Sequence, residues 1–247
     1  MACDKPQDGI SSDDALQHRL NENKEILTEV SETETIEKET EMSGVLVLKA
    51  MPEFKMEAYN AKTGHYVEVS SEQHADKWRV ICFYPADFTF VCPTEIAAMN
   101  ASLATIEDEL GCEVLAISTD TKFSHKRFVE TEPLLKGLQL TMGADTTGEV
   151  AKKFGVLIEG AGLALRGRFL VNPAGIVVAQ EVQSPAVGRS VKEFIRQIRA
   201  HQAAEKTGNV YPAGWKPGKT ILPVSTEAEK MTGNVGAYIT IEEIMAD

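Results

Sequence analysis

A chain of 247 residues, 43% apolar and 25% charged, has the make-up of one ordinary globular domain with extensions, or at most two domains. Its 37 acids against 25 bases leave a net charge of −12, which argues against nucleic acid as a partner, because phosphate recognition needs a basic face. No apolar run approaches the roughly 18 residues of a membrane span, and the N-terminus MACDKPQDGI has no apolar signal core, so a cytoplasmic, reducing setting with no membrane partner is expected.

Residues 1–42 hold 12 acids and 4 bases, and no aromatic residue occurs before Phe54. Such a segment buries too little apolar surface to offset its ordering entropy. It is read as an acidic flexible extension, with Leu16, Leu20, Leu27 and Val30 as a weak helical stripe. A folded domain is expected over 43–204. Residues 79–84 (RVICFY) form a short apolar run stopped by Pro85, which predicts a buried strand. Ile96, Met99, Leu103, Ile106 and Leu110 recur at helical spacing, and Gly111 ends them, so a helix is expected up to Leu110. Residues 112–117 (CEVLAI) predict a second strand, and 138–142 a weaker third. The runs 169–171 and 176–179 flank Asn172-Pro173-Ala174-Gly175, whose proline and glycine suit a type I turn and predict a hairpin. Val191, Phe194, Ile195 and Ile198 mark a last helix. Together these elements predict an α/β sheet with one antiparallel portion. From 205 to 247 the periodicity fades, and turn residues crowd 211–218. This arm is too short to fold alone and must lie on its own domain or on a neighbour.

The densest chemical signal is the stretch 85–95, PADFTFVCPTE. Pro93 fits the first turn of a helix, which places Cys92 at or just before that turn. Amide groups there point outward with partial positive charge and favour a thiolate. Thr89, three residues earlier, can turn its hydroxyl toward the same spot. Cys82 and Cys112 sit inside apolar strands and read as small buried hydrophobes. Four cysteines without a C-x-x-C pair make no disulfide framework, and the five histidines are dispersed, so neither a metal nor any other cofactor is expected. Dithiol exchange would need a cysteine at position 95, which is Glu95. A cysteine phosphatase would need an arginine at position 98, which is Ala98. A cysteine protease would need a partner histidine, and none stands out. What remains is a thiolate whose substrate brings its own leaving group, and a peroxide fits.

The segment FYPADFTFVCPTE resembles the active-site signature of the peroxiredoxins, Pro-x-x-x-Thr/Ser-x-x-Cys. The likeness continues in AISTDTKFSHKRF, ALRGRFLVNPAGIV, VGRSVKEFIRQI and YPAGWKPG, and it spans roughly 46–218. The group most resembled is the alkyl hydroperoxide reductase C-component type, the typical two-cysteine peroxiredoxins. The resemblance implies a thioredoxin-like fold, a central mixed sheet flanked by helices, with the C-terminal arm crossing a partner subunit in a homodimer or a decamer. It implies a thiol-dependent peroxidase that reduces hydrogen peroxide and organic hydroperoxides. By the same resemblance Cys92 is the peroxidatic cysteine, and Thr89 hydrogen-bonds the peroxide and the sulfur. Pro85 shields the thiolate, Arg166 stabilises it, and Glu95 and Arg189 position that arginine.

One departure matters. Where the two-cysteine group reads Val-Cys-Pro before AGWKPG, this chain has Val210-Tyr211-Pro212. Tyrosine cannot form a disulfide with a sulfenic acid. The expected order of reductants is therefore an external thiol first (thioredoxin, glutaredoxin or glutathione), Cys3 from the leader second, and the buried cysteines last. The alternative reading is a peroxide sensor or chaperone-like ring that passes oxidation to a partner.

Overall fold

The computed structural model describes residues 44–222, 224 and 232–245. The leader 1–42, with its helical stripe and Cys3, lies outside the described residues. The fold is built on a seven-stranded sheet, starting with a hairpin of β1 (Lys55–Asn60) and β2 (His65–Ser70). Next come β3 (Trp78–Phe83), α1 (Cys92–Ala101) and a π-helical turn at Ala104–Glu109. They are followed by β4 (Cys112–Ser118), α2 (Lys122–Thr131), β5 (Thr141–Ala144) and α3 (Glu149–Lys153). A small separate hairpin pairs β6 (Leu157–Ile158) with β7 (Leu163–Ala164). The sequence closes with β8 (Arg166–Val171), β9 (Val177–Gln183), α4 (Val191–Thr207) and α5 (Ile241–Met245).

The strand order is β2-β1-β5-β4-β3-β8-β9. Only β3, β4 and β5 run parallel. Both flanks are antiparallel, so the single antiparallel portion expected from the sequence is corrected to two. Strand β1 escaped notice because only Met56, Ala58 and Tyr59 of its six residues are buried, which is too short an alternation to stand out. The buried run 79–84 has the opposite cause. Val80 faces one apolar cluster, with Ile96, Met99, Val114 and Ile198, while Ile81 and Phe83 face the other, with Ile117, Phe154 and Phe169. A strand covered on both faces reads as continuously apolar.

Three further differences have local causes. The helix expected up to Leu110 ends at Ala101 and resumes as the wider turn Ala104–Glu109. At the break, Ser102 Oγ donates to the Ala98 carbonyl at 2.9 Å, a competing bond that bends helices. Ile96, Met99, Leu103 and Ile106 stay buried all the same, and Gly111 stops the chain at φ 64°. Helix α2, for which the sequence offered no apolar stripe, buries only His125 and Phe128 and starts at Thr121, whose hydroxyl caps Ser124 N at 3.1 Å. Helix α4 runs to Thr207, three residues past the point where periodicity fades, and ends at Gly208 in the left-handed region. The arm beyond it is held by Arg196, which donates to the Trp215 carbonyl at 3.0 Å.

Candidate active site

Strand β3 delivers the chain to a loop, 84–91, that turns back into α1. Cys92 is the first residue of that helix, Pro93 follows in its first turn, and the thiol is fully buried. Glu95 stands one turn further along the same helix. Arg166 opens β8, the strand paired with β3, and Arg189 precedes α4. The structure brings these four together although they span 97 residues of sequence. Arg166 Nη1 lies 3.4 Å from Cys92 Sγ and 2.7 Å from Glu95 Oε2. Its Nε and Nη2 both donate to the Pro185 carbonyl, at 2.9 and 2.6 Å, which fixes the guanidinium plane. Glu95 Oε1 accepts from Arg189 N at 2.7 Å and from Arg189 Nε at 2.9 Å, and Oε2 accepts from Arg189 Nη2 at 3.2 Å. Arg189 Nη2 also reaches the Phe83 carbonyl at 3.0 Å, tying the cluster to the end of β3.

One carboxylate thus serves two buried guanidiniums. Burial works to raise the Glu95 carboxyl, but the hydrogen bonds and charge of Arg189, with Arg166 behind them, outweigh it and hold it below the ordinary carboxylate value. Burial likewise opposes the charge on Arg189, yet the nearby Cys82 sulfur and Glu95 raise it. Cys82 is half-buried beside this cluster, not fully buried as its strand suggested. Cys112 is buried at the far end of the sheet, and burial, then the charge of Glu113, push its thiol up to about 12.

Pro85 and Thr89 stand in the loop that precedes Cys92. Pro85 is buried beside Tyr84 at the mouth of the loop. Thr89, expected to hydrogen-bond the sulfur, instead donates to the Ala86 carbonyl at 2.9 Å, and among the described residues it makes no hydrogen bond to Cys92. The turn from Ala86 to Thr89 is closed by Phe88 at φ 56°, a left-handed conformation that aims the Thr89 hydroxyl back along its own loop.

Sequence reasoning also missed what anchors the loop. His125, dismissed among dispersed histidines, is completely buried, with Nε2 at 3.1 Å from the Gly143 carbonyl and Nδ1 at 2.9 Å from Asp87 Oδ2. The carbonyl can only accept, which assigns the Nε2 proton. Asp87 takes further donations from Tyr84 Oη at 2.8 Å and Ser124 Oγ at 2.7 Å. Its backbone N–H is bound to Asp120 Oδ2 at 2.8 Å. Burial and then the charge of Asp87 keep the Tyr84 phenol protonated far above its usual range. Only the pairing of Asp87 in the signature with His125 downstream could have signalled this network.

A thioredoxin-like sheet with a buried cysteine at a helix start, an arginine on its sulfur and a carboxylate behind that arginine defines the peroxiredoxin class. Residues 47–180 match the AhpC/TSA family, and 200–234 match the C-terminal domain of 1-Cys peroxiredoxin. The chain belongs to the AhpC/TSA family. It is 44% identical over 186 residues to the putative peroxiredoxin YkuU of Bacillus subtilis, covering 73% of this chain and all of that protein. It is 41% identical over 170 residues to the mitochondrial thioredoxin-dependent peroxide reductase of Mus musculus, covering 68% of this chain and 66% of that one. The reduced 2-Cys peroxiredoxin of Plasmodium vivax superposes with a TM-score of 0.71 at 36% identity, over 76% of this chain and all of that structure. Among the described residues no helix is long and apolar enough to cross a membrane, and no group of three or more His, Cys, Asp or Glu side chains is placed to hold a metal.

Proposed function

We propose that the chain is a thiol-dependent peroxidase in which Cys92 attacks hydrogen peroxide and organic hydroperoxides. The observation that carries this reading is the 3.4 Å approach of Arg166 Nη1 to Cys92 Sγ in a buried site. A guanidinium there stabilises the sulfur anion and then the charge that develops on the departing oxygen. The S–O bond forms as the O–O bond breaks. The proximal oxygen stays on sulfur as sulfenic acid, and the distal oxygen leaves with the electron pair as alkoxide or hydroxide and takes a proton from solvent. Thr89 has its hydroxyl proton committed to Ala86, so its oxygen lone pairs face the role of accepting the peroxide O–H. Glu95 and Arg189 act as positioning residues, because they touch Arg166 or its partner and not the sulfur. Cys92 has no exposed surface, so peroxide reaches it only when the loop 84–91 gives way.

Regeneration in this reading follows a one-cysteine course. Tyr211 occupies the position where the resemblance puts a resolving cysteine, and Cys112 is held as an unreactive buried thiol. The match of 200–234 to the 1-Cys C-terminal domain supports this order. The reductant is then an external thiol of thioredoxin, glutaredoxin or glutathione type, which requires a reducing compartment such as the cytoplasm. Cys3 is the second-ranked resolver. The working unit is a homodimer or decamer across which the C-terminal arm lies, and along the sequence each chain divides into the acidic extension 1–42, the peroxidase domain 43–204 and the arm 205–247.

The test is one equivalent of peroxide followed by sulfenic trapping and peptide mass analysis. Label on Cys92, lost in Cys92→Ser, is expected, together with turnover when thioredoxin and its reductase are supplied. Oxidation of another cysteine while Cys92 stays reduced would overturn the site. A reducible disulfide that depends on Cys3 would overturn the order of reductants.

A further inference from the structure

Arginines 166, 168 and 189 are buried, and each has a carboxylate partner, Glu95 or Glu181. Arg79 is only 6% exposed, and among the described residues it has no ion pair at all. Its Nη1 donates to the Ser71 carbonyl at 2.6 Å, while among the described residues Nε is fully buried without a hydrogen-bond partner and Nη2 makes no hydrogen bond. Glu113 is its register neighbour across the β3–β4 pair, but that carboxylate is turned to Lys77 Nζ at 2.5 Å and His74 Nδ1 at 3.6 Å. Burial lowers the Arg79 pKa with no acidic neighbour opposing it. A buried cation that lacks a counter-charge is costly unless something supplies one.

Arg79 lines a cavity of about 100 Å³ whose apolar part is Phe54, Val69, Ile81 and Leu115 and whose polar lining includes Ser71, Gln73, His74 and Glu113. We infer that this cavity binds a small monocarboxylate with an apolar body, its carboxylate on the Nε–Nη2 edge of Arg79 and its body against Phe54, Val69 and Leu115. The side-on edge of a guanidinium presents two parallel N–H groups that match the two oxygens of a carboxylate. A phosphate or sulfate dianion would bring more charge than one guanidinium offsets, with the Glu113 carboxylate on the same wall. One water needs about 10–15 Å³ in the same measure, so the space suits a molecule of roughly seven to ten heavy atoms, the size of hexanoate or benzoate. The site is separate from Cys92. Arg79 stands near the start of β3, and the loop to Cys92 leaves from the other end, about 13 Å along the strand.

The test uses the full chain and three probes: hexanoate, benzoate and uncharged hexanol. Calorimetric titration of the wild type is expected to show saturable binding of both carboxylates, with hexanol at least about tenfold weaker, since a charge-assisted bidentate contact carries that discrimination. Arg79→Met is expected to abolish carboxylate binding while melting at or above the wild-type temperature, because it removes the uncompensated charge. Arg79→Lys is expected to bind more weakly than wild type, having lost the two-pronged edge. Initial peroxidase rates should not change on adding hexanoate. Were Arg79→Met to fail to fold, the wild-type Arg79 Nε–H resonance decides: it should shift with hexanoate and not with hexanol. No saturable carboxylate binding up to the solubility limit, equal binding of hexanoate and hexanol, or undiminished binding in Arg79→Met would overturn the inference.

Discussion

Glu95 is the residue on which the site's electrostatics converge. Its two oxygens accept donors from Arg166 and Arg189, and removing its charge leaves two buried guanidiniums without the carboxylate that neutralises them. Glu95→Gln is therefore expected to cost about 3–5 kcal/mol of stability, read by chemical denaturation, as breaking a buried pair on one side does. It should also slow peroxide consumption by loosening Arg166. The pH dependence has a definite sign. Because the folded carboxyl is held below its ordinary value of 4.5, the stability it brings is complete above that value and disappears as pH falls through the lowered folded value. Thermal stability of the wild type should fall across that acid window, and Glu95→Gln should show a shallower fall, the rest coming from other carboxylates such as Glu193. Arg166→Met should lower the second-order rate of peroxide reaction by about 10²-fold or more, the usual effect of losing one positioned donor in a buried site. An unchanged rate would make Arg166 a structural residue.

The elements deliver these side chains by tight packing. Strand β8 carries Arg166 at its first position and Gly167 at its second, and there is no room for a side chain at 167. A Cβ would stand 2.7 Å from Val156 Cγ1 and 3.1 Å from Phe169 Cε2. Both neighbours are buried side chains of the same core, so neither yields cheaply. Gly167→Ala should destabilise by about 1–3 kcal/mol. Since the strand must shift where Arg166 starts, peroxide reactivity should fall with it, measured by stopped-flow on protein shown to be folded. Helix α1 contributes in another way: its first turn sets Cys92 and Glu95 three residues apart on one side of the helix, so the sulfur and the carboxylate meet the same guanidinium.

At the scale of the molecule, the proposed recycling of the sulfur turns on the arm after α4. Tyr211 is tied within its own chain, its hydroxyl 2.9 Å from Thr207 Oγ1 and its ring edge-on to Trp215 at 4.6 Å between centroids. If the arm reaches a partner's Cys92 as in the two-cysteine group, Tyr211→Cys should convert the peroxide-treated protein into reducible, disulfide-linked dimers on gels, which the wild type is expected not to form. Failure of that variant to cross-link, in protein that light scattering shows to be dimeric or larger, would mean that the arm does not bring position 211 to Cys92.

The sequence by itself determined those parts whose signal is local. A strand buried on both faces must be apolar throughout, so β3 and β4 were legible. The turn chemistry of 172–175 declared the β8–β9 hairpin, which closes with Gly175 N bound to the Asn172 carbonyl at 2.9 Å. Cys92 at a helix start followed from Pro93 alone. Strands β1 and β2 and helix α2 were not legible, because a half-covered element needs few apolar residues and its stability comes from what it lies against. Arg166 and Arg189 entered only through family resemblance, since nothing within a few residues of either says that a carboxylate at position 95 awaits it. Tertiary structure alone decided that Glu95 bridges two arginines and that Thr89 bonds its own loop. It alone decided that His125 holds Asp87 and that Arg79 is left without a counter-charge among the described residues. Each of these depends on the distance between groups far apart in the chain, and a charge's energy is set by which neighbours the fold brings within a few ångströms and how much water it removes.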